Sequence, residues 1–329
     1  MYTDIELVCP DHQLPLIDAG DSYDCPKDCV FQKYDSIPRF EKNSNYADSF
    51  GLQWNTFRRT QLDSYTNTTI SEERLARIAG GSLEVFDGKR TLEAGCGAGR
   101  FTEVMLKAGA MIFATDISSA VNANYENCGK NKHYFVCQAD ISRLPVRPSQ
   151  FEIVVCVGVV QHTPDPEETI KSLCSYLVPG GMLLIDHYPP NYPIGFFRRI
   201  LRRKLINKNS AEALSYCTQL TEMLWPLHRF MWKFFRESPF RKIPLLPKIR
   251  SVFLRISPLV DYHDAYFELG PELLKTWALL DTHDTLTDVY KHLRSKEQIS
   301  DILNKLGMEN IQVELGGNGI EARAYKRTS

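Results

Sequence analysis

Apolar positions follow two rhythms along the 329-residue chain. From Lys89 onward, short apolar runs alternate with stretches of helical period. The runs predict strands at 90–94, 111–115, 134–138, 151–157 and 181–186. Strands alternating with helices predict an α/β architecture, a parallel sheet covered on both faces. The helix after "VVQHTPDPEE" has a full start signal: Asp165 as N-cap, Pro166 at the first position and Glu168 completing a capping box. Toward the end, "KEQISDILNKLG" is an amphipathic helix, and "NIQVEL" and "IEARAYK" are strands joined by "GGNG". Asn318-Gly319 signals a tight hairpin, so the sheet should close with an antiparallel strand.

The second rhythm is helical. In "NYADSFGLQWNTFRRTQLD", Phe50, Trp54, Phe57 and Gln61 are spaced to share one helix face over 45–63. Ser71 reads as the N-cap of a second helix, "EERLARIA", closed by Gly80 and Gly81. Residues 1–40 are punctuated by Cys and Pro and have no helical period. Between 194 and 256 there are fourteen Lys or Arg against three Glu, interleaved with Phe, Trp, Leu and Pro.

Composition narrows the class. The net charge of −1 excludes a polyelectrolyte binder, and no nucleic-acid partner is expected. The N-terminus lacks the basic and apolar regions of a signal peptide. The longest apolar run, "VVCVGVV", is too short for a membrane span. Nine cysteines, six of them single within core elements, suit reduced thiols and a cytoplasmic protein.

The candidate chemistry starts in "TLEAGCGAGRFTEVMLKAGAMIFATD". A dinucleotide fingerprint needs a third glycine where this chain has Arg100, and a phosphate loop needs a following Gly-Lys-Ser/Thr, which is absent. What remains is Glu93 with Gly95, Gly97 and Gly99, and Asp116 placed after the second strand to accept ribose hydroxyls. With the terminal hairpin, this constellation resembles the class I S-adenosylmethionine-dependent methyltransferases, in the branch with "GVVQHTPDP"-like fourth strands that includes lipid-quinone and small-molecule enzymes. The resemblance covers about residues 85–190 and 295–327. It implies a Rossmann-like seven-stranded sheet with the last strand antiparallel. It also implies that the loop of Gly95, Cys96, Gly97 and Gly99 passes under the methionine part of S-adenosylmethionine. Glu93 would orient the amino group, Asp116 with Ile117 would hold the ribose, and Asp140 and Ile141 of "QADI" would meet the adenine. Val157 and Gly158 would lie beside the amino acid moiety.

This implies four segments: a zinc-ribbon-like segment at 1–40, a helical lid at 41–85, the cofactor-binding domain at 86–190 and 263–329, and a basic helical insertion at 191–262 capping the acceptor site. The expected activity is methyl transfer to a small-molecule or lipid-linked metabolite. A non-catalytic module on the same fold is the alternative. A base is required only for a protonated acceptor. His162 and His187, just past strand ends, are the candidates, although His162 equally suits a cap for the "HTPDP" loop. Trp54 and Gln61 from the lid, with His283 and Tyr290 after the insertion, are candidate acceptor-site residues; core packing is the other reading of the lid face.

Two stretches carry separate chemistry. "CPDH" and "CPKDC" supply Cys9, His12, Cys25 and Cys29, two pairs of soft ligands able to close a tetrahedron around a structural zinc. A segment so poor in large apolar residues needs such a staple. It resembles small zinc ribbons, with His in second place and a last spacing of three rather than two; a ribbon that has lost its metal is the alternative. In "GFFRRILRRKLI", Phe196, Phe197, Ile200, Leu201 and Leu205 are expected on one helix face and Arg198, Arg199, Arg202 and Arg203 on the other. That arrangement over 194–206 suits either a peripheral membrane contact or a lid with solvated arginines.

Overall fold

The computed structural model describes residues 5–41, 45–192, 195–237, 245–317 and 319–328. The chain divides into two compact units, one of residues 1–63, 69–192 and 290–329, the other of residues 64–68 and 193–289.

The first unit opens with a four-stranded antiparallel sheet of β1 (Ile17–Asp18), β2 (Ser22–Asp24), β3 (Val30–Tyr34) and β4 (Ile37–Pro38), in that spatial order. Three helices follow: α1 (Asp48–Thr56), α2 (Asp63–Thr66) and α3 (Ile70–Ile78). The main sheet is built from β5 (Arg90–Ala94), β6 (Met111–Asp116), β7 (Tyr134–Gln138), β8 (Phe151–Cys156), β9 (Leu177–His187), β10 (Met308–Gly316) and β11 (Gly319–Lys326). Between its strands run α4 (Arg100–Lys107), α5 (Val121–Cys128) and α6 (Pro166–Tyr176).

The seven strands lie in the order β10-β11-β9-β8-β5-β6-β7. β5 to β9 are parallel to their neighbours, and β11 runs antiparallel between β9 and β10. This is a Rossmann-like seven-stranded sheet with an antiparallel C-terminal hairpin, as the resemblance implies. Gly316 pairs with Gly319; Asn318 lies outside the described residues. Neighbouring residues of one strand feed cores on opposite faces, Val154 and Leu183 on one side, Val155 and Leu184 on the other. That two-sided burial is why the strands read as unbroken apolar runs. The chain leaves β5 toward β6 and returns with β8 on β5's other side, so the crevice above the ends of β5 and β8 is the topological switch point where such sheets bind ligands.

The second unit is helical: α7 (Phe196–Leu205), α8 (Ser210–Glu237), α9 (Leu245–Ile256) and α10 (Gly270–Thr287). The helix α11 (Lys296–Lys305) then returns the chain to the sheet, with a reciprocal capping box between Ser295 and Gln298.

Three expectations are corrected. Residues 263–289 group with the insertion rather than with the sheet, because α10 is buried nearly all round, through Leu274, Trp277, Ala278, Leu280 and Leu286, and packs on α7 and α8. The first lid helix ends at Thr56, so Gln61 does not extend its face. Ser71 is not a cap: it lies inside α3, whose first amides are taken by Asp63, with Oδ1 accepting from Ser71 (3.0 Å) and Oδ2 from Glu72 (2.8 Å). A carboxylate from outside a helix start does the same electrostatic work as a local cap. The Asp165 cap is present, accepting from the Glu168 amide at 3.1 Å, with Pro166 at the first position.

The α7 surface is also rearranged. Arg198 donates to the carbonyls of Pro258 (3.1 Å) and Leu259 (2.9 Å), and Arg202 pairs with Asp288, which is fully buried. Phe196, Phe197 and Ile200 are exposed, and Leu205 is buried. Two of the four expected headgroup arginines are therefore internal ties, and the outward surface mixes aromatics with Arg199 and Arg203.

Candidate functional site

The glycine loop follows β5 at the switch point. Gly95 and Cys96 both donate to the Thr115 carbonyl, at 2.7 and 2.9 Å, which turns the chain sharply at the strand end. Gly95 has φ +79°, and a Cβ there would meet Val159 Cγ2 at 2.3 Å. Gly97 has φ +49° and donates its N–H to Asp116 Oδ2 at 3.0 Å. Asp116 Oδ1 accepts from the Ser118 amide (2.8 Å) and hydroxyl (2.7 Å). Of about four lone-pair positions on a carboxylate, three are filled, leaving one on Oδ2. Gly99 begins α4, as expected for a loop delivering a helix. Ile117 contributes only its carbonyl, which accepts from Asn45 and Gln138 (2.9 Å each).

A buried polar chain holds the loop from behind. The Tyr134 hydroxyl donates to Asn124 Oδ1 (2.6 Å), Asn124 Nδ2 donates to Thr102 Oγ1 (3.0 Å) and to the Cys96 carbonyl (3.2 Å), and Thr102 donates to Glu93 Oε2 (2.5 Å). Burial pushes the Glu93 carboxyl up to about 8; the bond from Thr102 opposes this and the Asp116 charge adds to it. Burial likewise raises the Cys96 thiol well above its usual range, so it is no nucleophile. Because the folded-state pKa of Glu93 exceeds the unfolded one, its favourable contribution is complete below about pH 4.5 and is lost as pH rises through about 8. Glu93→Gln should flatten this fall, gaining on the order of 3–5 kcal/mol relative to wild type at pH 9. Urea titrations at pH 6 and pH 9 test this: parallel losses in both proteins would exclude a buried protonated Glu93.

Asp140 caps a 3-10 turn at Ile141–Arg143, its Oδ1 accepting from the Ser142 amide at 2.7 Å. Val157 is buried, and Gly158 has φ +80° with open space where a Cβ would project. The Gly158 amide donates to Asp186 Oδ1 at 2.6 Å, and Arg74 of α3 pairs with Asp186 Oδ2 at 2.5 Å.

From the N-terminal helix, half-buried Trp54 borders the loop: its Nε1 lies 3.4 Å from the position of a Cβ on Gly97. The buried amide of this helix is Gln53, 1% exposed, not Gln61. Gln61 instead accepts from Arg100 Nη1 at 3.3 Å.

His162 is buried, its Nδ1 3.2 Å from the Tyr290 carbonyl, with its ring edge-on to Phe50 and Tyr188. Tyr290 stands edge-on to Tyr46. His187, at the end of β9, is 1% exposed; Nδ1 donates to the Tyr188 carbonyl at 3.0 Å, leaving the lone pair on Nε2. Burial lowers its pKa, so the ring is a neutral base. Nε2 has no partner among the described residues, and neither has either side-chain atom of Gln161, fully buried beside His162. Buried unsatisfied polar atoms call for a ligand or ordered water. Gln161 had no signal in the sequence beyond its place in "VVQH". His283 belongs to the second unit, buried in α10, and burial lowers its pKa to about 4.

In the turns before β1 and between β2 and β3, Cys9, His12, Cys25 and Cys29 converge, their ligand atoms all within 4.8 Å of one another.

A family model described as a methyltransferase domain matches residues 92–185. That stretch, from β5 to β9, is therefore similar to a methyltransferase domain. Among curated relatives, ubiquinone biosynthesis O-methyltransferase of Coxiella burnetii is 31% identical over 108 residues, 32% of this chain and 46% of that protein. The namesake from Azoarcus sp. is 27% identical over 124 residues, 36% of this chain and 53% of that protein. The chain thus matches about half the length of these curated relatives. Among solved structures, an S-adenosyl-L-methionine-dependent methyltransferase described as putative, from Methanococcus maripaludis, aligns over 88% of this chain and 97% of its own with a TM-score of 0.45 and 15% identity. Magnesium protoporphyrin IX methyltransferase from Synechocystis with bound S-adenosylmethionine aligns over 85% of this chain and 93% of its own, with a TM-score of 0.43 and 14% identity. The match to the family model ends where β9 is nearly complete.

Proposed function

We propose that the chain is an S-adenosylmethionine-dependent methyltransferase acting on a small, lipid-linked acceptor. The carrying observation is the Gly97–Asp116 pair at the switch point, a glycine loop with bare backbone facing an acid that keeps one acceptor position. The residues present fit the cofactor. Asp116 Oδ2 would take a ribose hydroxyl, the turn of Asp140 and Ile141 the adenine, and the open space at Gly158 the amino acid end. Bound S-adenosylmethionine supplies an activated methyl on a sulfonium. The protein's part is then alignment, and effective molarity alone is worth roughly 7–11 kcal/mol. Trp54 over the loop excludes water. His187, neutral with a free Nε2 lone pair, takes the proton of a hydroxyl acceptor, and Gln161 orients that hydroxyl; His162, tied to Tyr290, shapes the wall.

The lipid-linked reading draws on the relatives' name, which places them in ubiquinone biosynthesis, and on the helical unit. On α8 the residues Tyr216, Met223, Leu227, Phe230 and Phe234 are exposed at helical spacing, with Arg229 and Lys233 exposed among them. An apolar stripe flanked by cations suits an anionic membrane surface. No described helix is long and apolar enough to cross a membrane. Purified protein should convert S-adenosylmethionine to S-adenosylhomocysteine when supplied with hydroxylated quinol lipids, and His187→Gln should cut turnover about 10²-fold or more. No cofactor binding in calorimetry would exclude the activity. The protein should also co-sediment with phosphatidylglycerol vesicles at low salt and be released at high salt; Phe230→Ser/Phe234→Ser pelleting like wild type would remove the stripe from the account.

A further inference from the structure

The convergence of Cys9, His12, Cys25 and Cys29 has a geometry that hydrogen bonding does not explain. His12 Nδ1 is 3.5 Å from the sulfur of Cys9, 3.5 Å from that of Cys25 and 3.5 Å from that of Cys29. One ring nitrogen offers one N–H or one lone pair, so it serves one thiol, not three. A cation at the centre satisfies all four. With bonds of about 2.3 Å to sulfur and 2.0–2.1 Å to nitrogen, a tetrahedral zinc holds nitrogen and sulfur about 3.5–3.6 Å apart. Tight turns fix the ligands: Gln13 donates to the Cys9 carbonyl (2.8 Å), and Asp28, at φ +64°, to that of Cys25 (3.0 Å). The Lys27 amide points at Cys25 Sγ (3.5 Å), the outer hydrogen bond that orients a thiolate ligand. All three cysteines are free, and Cys9 and Cys25 are buried.

The same segment is docked on the turn that carries Asp140 and Ile141. Asp11, between two of the ligands, accepts from Arg143 of that turn at 2.9 Å, and Arg143 also reaches Glu41 (3.1 Å). The Val8 amide donates to the Pro145 carbonyl (2.9 Å), and Leu7 bridges Val146. Beyond β4, Phe40 donates its amide to Gln138 (2.8 Å) and buries its ring in the core shared by Ala139 and Leu144. Both flanks of the turn are thus held by the metal segment.

We propose that these four side chains bind one zinc ion, and that the zinc sets cofactor affinity at a distance by fixing the 139–146 turn. The second half rests on the proposed cofactor; the first does not. Without the ion the four ligands lose their common centre, leaving an ordering entropy that the turn alone has to meet. Cofactor binding then includes that ordering, and affinity falls.

Metal analysis of the full chain by mass spectrometry should give one zinc per molecule, and Cys25→Ser should lose it. Cobalt(II) added to stripped protein should give the intense absorption of a tetrahedral thiolate site. A wild type grown with zinc that carries none, and takes up no cobalt, overturns the metal site. S-adenosylhomocysteine affinity, by calorimetry, should fall at least five-fold on stripping and return with zinc but not magnesium. Arg143→Ala keeps every ligand and cuts the link, so it should retain full zinc while binding S-adenosylhomocysteine several-fold more weakly. Full zinc with wild-type affinity in Arg143→Ala overturns the coupling; zinc without any cofactor binding in the wild type tells against the methyltransferase reading alone.

Discussion

Asp116→Ala should weaken S-adenosylmethionine binding by roughly 10- to 100-fold, from the loss of one charge-assisted hydrogen bond worth about 1.5–3 kcal/mol. The change also frees the Gly97 amide and both Ser118 donors, which Asp116 holds at 2.7–3.0 Å, so the glycine loop loses its anchor. Asp116→Asn keeps the size but turns one acceptor oxygen into a donor facing the Gly97 or Ser118 amide, and should bind nearly as poorly. Calorimetric titration gives the affinity, and a thermal melt confirms the fold. Wild-type affinity in a folded Asp116→Ala protein would remove this residue from the cofactor site.

Arg74→Met should be the most damaging single change to stability, by about 3–5 kcal/mol. Asp186 is 2% exposed and has the Gly158 amide and the Arg74 guanidinium as its partners in this structure. Removing the arginine leaves a carboxylate in the interior, and desolvation of an uncompensated charge exceeds what one amide returns. The double change Arg74→Met/Asp186→Asn should recover much of the loss, because removing both charges leaves no ion unpaired. Chemical denaturation measures both; a single variant within 1 kcal/mol of wild type defeats the argument.

The sequence makes the sheet legible because parallel strands buried on both faces leave unbroken apolar runs, as in 111–116 and 151–156, and because Gly319 and the paired strands around it advertise a hairpin. The loop of Gly95 and Gly97 is legible for a related reason: both have positive φ, and at Gly95 Val159 is packed where a side chain would go. What stayed hidden depends on partners far along the chain. Asp63 caps a helix seven residues on, Arg74 meets an acid 112 positions away, and Gln161 is conspicuous only once its neighbours are seen to offer it nothing. The four strands of the N-terminal sheet are two to five residues long and carry no clear alternation, so spacing of Cys and His was the only signal there. The grouping of residues 263–289 was not legible, because it depends on α10 packing against α7 and α8, far back along the chain.

The helical unit leaves and rejoins the sheet through a narrow neck. Tyr188, just before the departure, accepts a backbone bond from Arg294, just after the return, at 3.0 Å, and His292 is tied to Gln161 at 2.9 Å. Closing a chain segment costs free energy only with the logarithm of its length, about 0.6 kcal/mol per doubling. With its ends pinned side by side, whatever lies between 193 and 289 can lengthen, shorten or be exchanged while the strands keep their register. This part of the molecule is thus free to be exchanged as a cassette while the strand register of the sheet stays untouched.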